Sequence, residues 1–157
     1  MYRNKNELLE LFNEERQKTL STLELIAPES LEQAIAPGFM KLGEVALHLV
    51  LSIPAITKFL GFEYLEVPAT GAKLEPKALV DFYRGISLEC SGQITARLDD
   101  ESLFTKTFNV YSHSWTAAYT LSVLLRHEIH HRGQLTVLMR QAGLPLPDIY
   151  GPARRSL

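Results

Sequence analysis

His127 and His131 lie four residues apart in a segment of helical periodicity, and His48 sits in the middle of an earlier apolar run. Residues four apart on a helix stand one turn above each other, so two imidazoles at that spacing can reach one metal ion. A third imidazole from a different helix completes a three-ligand site with positions left open for water or substrate. That arrangement suits chemistry better than scaffolding. An ion held there could lower the pKa of a bound water to about 7, or hold a cosubstrate thiol as thiolate. Three imidazoles accept zinc, nickel, iron or copper.

A single histidine on an apolar face is ordinarily a hydrogen-bonded core residue. Three inward histidines are harder to satisfy, because each buried imidazole without a partner costs about 1–3 kcal/mol. One divalent ion satisfies all three, and structural zinc sites return on the order of 10 kcal/mol. At 100° per residue, Thr116, Thr120, Val123, Leu124, His127, His131, Gln134, Leu135 and Leu138 share a face, with Glu128 turned to the other side. In the earlier run Val45, His48, Leu51, Ser52, Ala55 and Phe59 share one. Both faces are predicted to look into a helical core. Gln134 is placed to orient a ligand or to bond another helix, Gly133 to leave room or admit a close helix, and Glu44 to bond an imidazole. His130 falls at the rim as an outer-layer group, His113 in a loop, and Cys90 on an apolar side as core. Trp115 reads as a helix-entry anchor and Arg154-Arg155 as a solvated tail.

Four helices must position these groups. The first spans about residues 4–25, with Asn4 and Glu7 spaced as a capping box and Pro28 beyond its end. The second spans about 42–60, where Pro54 should kink it past His48. The third spans about 76–98 and opens on Pro76; the fourth runs from about 114 to 142, before Gly143 and Pro145. Residues 61–75 lack a helical period and suit a long crossover between the second and third helices. Residues 105–112 could pair briefly as extended chain. With 157 residues and no repeat or linker, a single domain over 1–157 is expected.

His127-Glu128-Ile129-His130-His131 also fits the H-E-x-x-H pattern of zinc proteases, with the glutamate as general base. Those enzymes take a third ligand downstream, and after His131 only Asp148 could serve, in a proline-rich tail.

The formal net charge is −2, with no basic stripe interleaved with aromatics, so nucleic-acid binding has no footprint. The single cysteine fits a reducing compartment. The polar N-terminus lacks a signal-peptide core, and His48, Ser52 and Pro54 interrupt the best candidate for a membrane span. A soluble cytoplasmic protein without a membrane partner is expected.

The segment Leu42-Gly-Glu-Val-Ala-Leu-His48, the block His127-x-x-x-His131-Arg-Gly-Gln134 and the ending Leu146-Pro-x-x-Tyr-Gly-Pro152 resemble the DinB/YfiT-like family, in order and over the whole chain. One departure is visible: Met40-Lys41 stands where the family commonly opens the second helix with an aromatic residue and Ser or Thr. The resemblance implies an all-α, up-down-down-up four-helix bundle, frequently a homodimer, binding zinc or nickel through His48, His127 and His131. Some such relatives are thiol-dependent transferases or isomerases, and many have no known activity. The function expected is therefore a metal-dependent transferase, isomerase or hydrolase of stress or detoxification. Its partners would be a small-molecule substrate and a low-molecular-weight thiol. The alternative is a non-catalytic metal- or ligand-binding stress protein.

Overall fold

The computed structural model describes residues 2–153, so the Arg154-Arg155 pair lies outside the described residues. Five helices carry most of it: α1 (Lys5–Leu23), α2 (Leu42–Thr57), α3 (Pro76–Arg97), α4 (Asp100–Thr105) and α5 (Ala117–Gln141). Two short strands, β1 (Thr107–Val110) and β2 (His113–Thr116), form an antiparallel hairpin. The protein is thus mostly helical rather than all-α.

Local chemistry sets the ends. The Asn4 side chain accepts the Glu7 amide (2.9 Å), but the Glu7 carboxylate turns to the backbone and guanidinium of Arg3, so only half of the expected box forms. Pro76 occupies the first turn of α3, where a missing N–H costs nothing. α2 runs through Pro54 to Thr57, tightens into a 3-10 turn over Lys58–Leu60 and stops at Gly61 with φ +77°. α4 is opened by Asp99 and Ser102, each side chain bonding the other's amide.

The fourth predicted helix begins three residues late, because 113–116 pair with 107–110 in the register Thr107 to Thr116 and Val110 to His113. The turn between them places Tyr111 and Ser112 at φ +48° and +66°, the left-handed pair that matches a two-residue hairpin to the strand twist. His113 is therefore in a strand, not a loop. Its ring stacks on Trp115, whose edge meets Tyr119 at the start of α5.

α2 packs on α3 and α5, and α1 packs on α3 and α5. Their shared interior is one apolar cluster including Leu8, Phe12, Leu49, Ile53, Ile86 and Leu124. Contrary to expectation, the segment Leu42–Leu60 is long and apolar enough to cross a membrane, with mean hydropathy 1.4, despite His48, Ser52 and Pro54. Over half of it (56%) is buried inside the protein, so the core accounts for its apolarity.

Candidate metal centre

Where α2 meets α5, the three histidines converge. His127 Nε2 lies 3.4 Å from His48 Nε2 and 3.2 Å from His131 Nε2, and one nitrogen from each ring falls within 4.8 Å of the other two. Two nitrogens held about 2.05 Å from a tetrahedral ion stand about 3.3 Å apart. The spacing therefore fits a zinc-sized ion, which would take the place of the contacts between these nitrogens.

The protonation states agree with that fit. His131 Nδ1 lies 2.7 Å from Gln134 Oε1, and an amide oxygen only accepts, so the proton sits on Nδ1 and the Nε2 lone pair faces the cluster. Burial, and then the neighbouring His131, His48 and His130, pull the His127 pKa down to about 4. Burial also lowers His131, partly opposed by the Gln134 hydrogen bond. Both rings are neutral at pH 7, as ligands must be. His127 Nδ1 is buried without a partner, one of two such side-chain atoms among the described residues.

The expectation that the histidines face the core is corrected. His48 is exposed, and His127 and His131 are partly buried on the flank of α5. The predicted face is buried at Thr120, Leu124, Leu135 and Leu138, and the buried arc extends away from the histidines through Leu121, Leu125, Glu128, Arg132 and Met139. The two rings lie roughly 60–100° round the helix from Glu128, at the seam with α2. The predicted face of α2 is mixed: Val45 and Ser52 are buried, whereas His48 and Ala55 are exposed.

Glu128 is the second correction, because it points into the protein and is only 1% exposed. Its Oε1 accepts from the hydroxyls of Thr19 (2.6 Å) and Tyr83 (2.5 Å), and its Oε2 is the other unpartnered buried atom. Burial raises its pKa. A carboxyl buried between α1 and α3 cannot serve as base for a molecule held at the histidines, so the protease pattern is accidental.

Beside Glu128 runs a polar network that sequence reasoning missed. Arg132, 1% exposed, pairs with the Glu15 carboxylate and donates from Nη1 to the Glu15 carbonyl and the Thr19 hydroxyl, both at 3.0 Å. Tyr150, from the tail, accepts from Arg132 (2.6 Å) and donates to Glu15 Oε2 (2.5 Å). Burial pushes the Glu15 carboxyl up, but hydrogen bonds from Lys18, Tyr150 and Arg132 outweigh it, and its pKa falls. These contacts tie α1 and the tail to the turn of α5 that carries His131. A signal existed: Glu15 and Thr19 occupy the same stripe of α1 as Leu8, Phe12 and Leu23.

Other expected roles sort themselves by contact. Gln134 holds His131. Glu44 instead accepts the Lys41 amide (2.8 Å) at the start of α2. His130 is exposed and meets His131 edge-on, outside the three-nitrogen cluster. A side chain at Gly133 would meet open space, so no helix approaches there. Cys90 is buried and its thiol is raised to about 12, which makes it core rather than nucleophile.

Comparison with known proteins bears on the family and the fold. The chain is 32% identical over 156 residues to the uncharacterized protein YrdA of Bacillus subtilis (strain 168), covering 98% of this chain and 92% of that one. Its structure is similar to that of a DinB-like protein from Bacillus cereus ATCC 10987, at 34% identity and TM-score 0.89 over 96% of this chain and all of the other. The DinB-like protein YjoA of Bacillus subtilis shares the fold at 20% identity and TM-score 0.72, over 94% of this chain and all of that one. The DinB family model matches residues 1–157, and the chain belongs to the DinB family.

Proposed function

We propose that this protein is a divalent-metal-dependent enzyme whose ion, zinc or nickel before iron or copper, is held by His48, His127 and His131. The observation that carries the reading is the convergence of three imidazole nitrogens, two pairs of them at 3.2 and 3.4 Å, from two packed helices. When bound, the ion supplies a Lewis acid with coordination positions beyond its three protein ligands. The chain supplies the rest: the Gln134 acceptor fixes the His131 tautomer, and burial keeps His127 and His131 unprotonated. The exposure of His48 leaves one side of the centre open to a small-molecule substrate. Transfer to or from a low-molecular-weight thiol, isomerisation and hydrolysis are the reactions such a centre serves. The same reading takes residues 1–157 as one domain, the long helices as an up-down-down-up bundle, the assembly as a homodimer and the location as cytoplasmic.

The rival is a non-catalytic protein whose metal only fixes the fold or is sequestered. The exposed His48 favours an exchangeable ion over a closed structural one. Removing the metal with a chelator and adding azide or a simple thiol to reloaded protein separates the two. A folded metal-free protein, and a reloaded centre that takes up the added ligand, support the enzyme. Collapse of the thermal midpoint without metal, together with a centre closed to azide, refutes it.

A further inference from the structure

His48 borders more than the metal centre. It also lines a cavity of about 570 Å³ between the outer face of α2 and the end of the α2–α3 connection. The size is that of sites that take drug-sized molecules. Leu31, Leu47, Leu51, Ala72 and Leu74 give it apolar walls. Its charges do not add up to an anion site: Lys41 is paired with Glu32, which leaves Lys73 against Glu44 and Glu75. With no excess of positive charge, a carboxylate or phosphate deep in the cavity would lose hydration without gaining a partner.

We propose that this cavity is the substrate chamber, and that it takes the uncharged apolar body of a small molecule whose metal-binding end reaches the ion past His48. The proposal rests on the three-histidine metal reading and adds the substrate class. The Thr70–Glu75 side of the wall belongs to an irregular connection rather than to a core helix, with Ala72 and Leu74 resting on the core.

The test titrates zinc-loaded protein by calorimetry with straight-chain hydroxamates from acetohydroxamate to octanohydroxamate. Affinity is expected to rise by up to about fourfold per added methylene until the chamber is filled, then to level off. A chain ending in a carboxylate should bind on the order of tenfold more weakly than its methyl-ended counterpart. Ala72→Trp and Leu51→Trp fill the chamber from opposite walls. Each should abolish the chain-length increment while leaving acetohydroxamate affinity within about twofold of native, a split that misfolding would not produce. A flat chain-length series in the native protein, or an undiminished one in both filled variants, overturns the chamber while the metal centre stands. Failure of acetohydroxamate itself to bind overturns the metal centre, and the chamber with it.

Discussion

Gln134→Ala removes one acceptor and nothing from the core, because Gln134 is exposed and its Oε1 reaches only His131 Nδ1, at 2.7 Å. Without it the ring is free to turn and to exchange tautomers, and Nε2 presents its lone pair to the centre only part of the time. Loss of such an outer partner typically weakens metal binding by about 10–100-fold. Water can replace an exposed acceptor, so the lower end applies here: about tenfold, or roughly 1.4 kcal/mol. Competition between the protein and a chelator of known zinc affinity at pH 7.5 measures this directly. Gln134→Glu keeps an acceptor oxygen and should hold zinc at least as well as native protein. The thermal midpoint of the metal-free Ala variant should stay within about 2 °C of native, since an exposed side chain leaves packing untouched. Zinc affinity within twofold of native in the Ala variant would refute the assignment of Gln134 as the residue that orients His131.

Arg132→Ala leaves the Glu15 carboxylate buried without its partner and should lower stability by about 3–5 kcal/mol in chemical denaturation; a loss under 1 kcal/mol would show that Lys18 and Tyr150 suffice. Glu128→Gln keeps the oxygen that Thr19 and Tyr83 donate to and should retain native zinc affinity and any activity found, whereas a protease-type base would lose turnover entirely. The lowered His127 pKa means that the unfolded chain binds more protons than the folded one between about pH 4 and the reference value near 6.5. Metal-free stability should therefore fall on acidification through that window and level off below about pH 4 as far as His127 is concerned; a rise on acidification would contradict the buried, neutral ring.

The helix spans were legible where apolar periodicity is sustained, and α2 and α3 begin where Leu42 and Pro76 were expected to open them. Strand β1 lies within residues 105–112, expected to pair as extended chain, but its partner β2 and the turn were not legible, because Tyr111-Ser112 carries none of the Asn or Gly that ordinarily marks a left-handed turn. α4 is six residues long, too short to show a period. The histidines were legible as a set because spacing on a helix decides which residues share a turn. Their orientation was not: an arc through Glu128 and Arg132 looks solvent-facing until Thr19, Tyr83 and Glu15 arrive from other segments to satisfy both. Periodicity ranks faces by apolarity, and a buried polar network inverts that ranking locally.

X-ray absorption on protein reloaded with zinc, paired with elemental analysis of the same sample, reads the centre itself. One ion per chain is expected, with three imidazole nitrogens at about 2.0–2.1 Å and the remaining positions filled by light exchangeable atoms. His48→Ala, His127→Ala and His131→Ala should each remove stoichiometric metal, while His113→Ala keeps it. A full complement of zinc in the His127 or His131 variant, or a spectrum without imidazole scattering, would contradict the three-histidine centre.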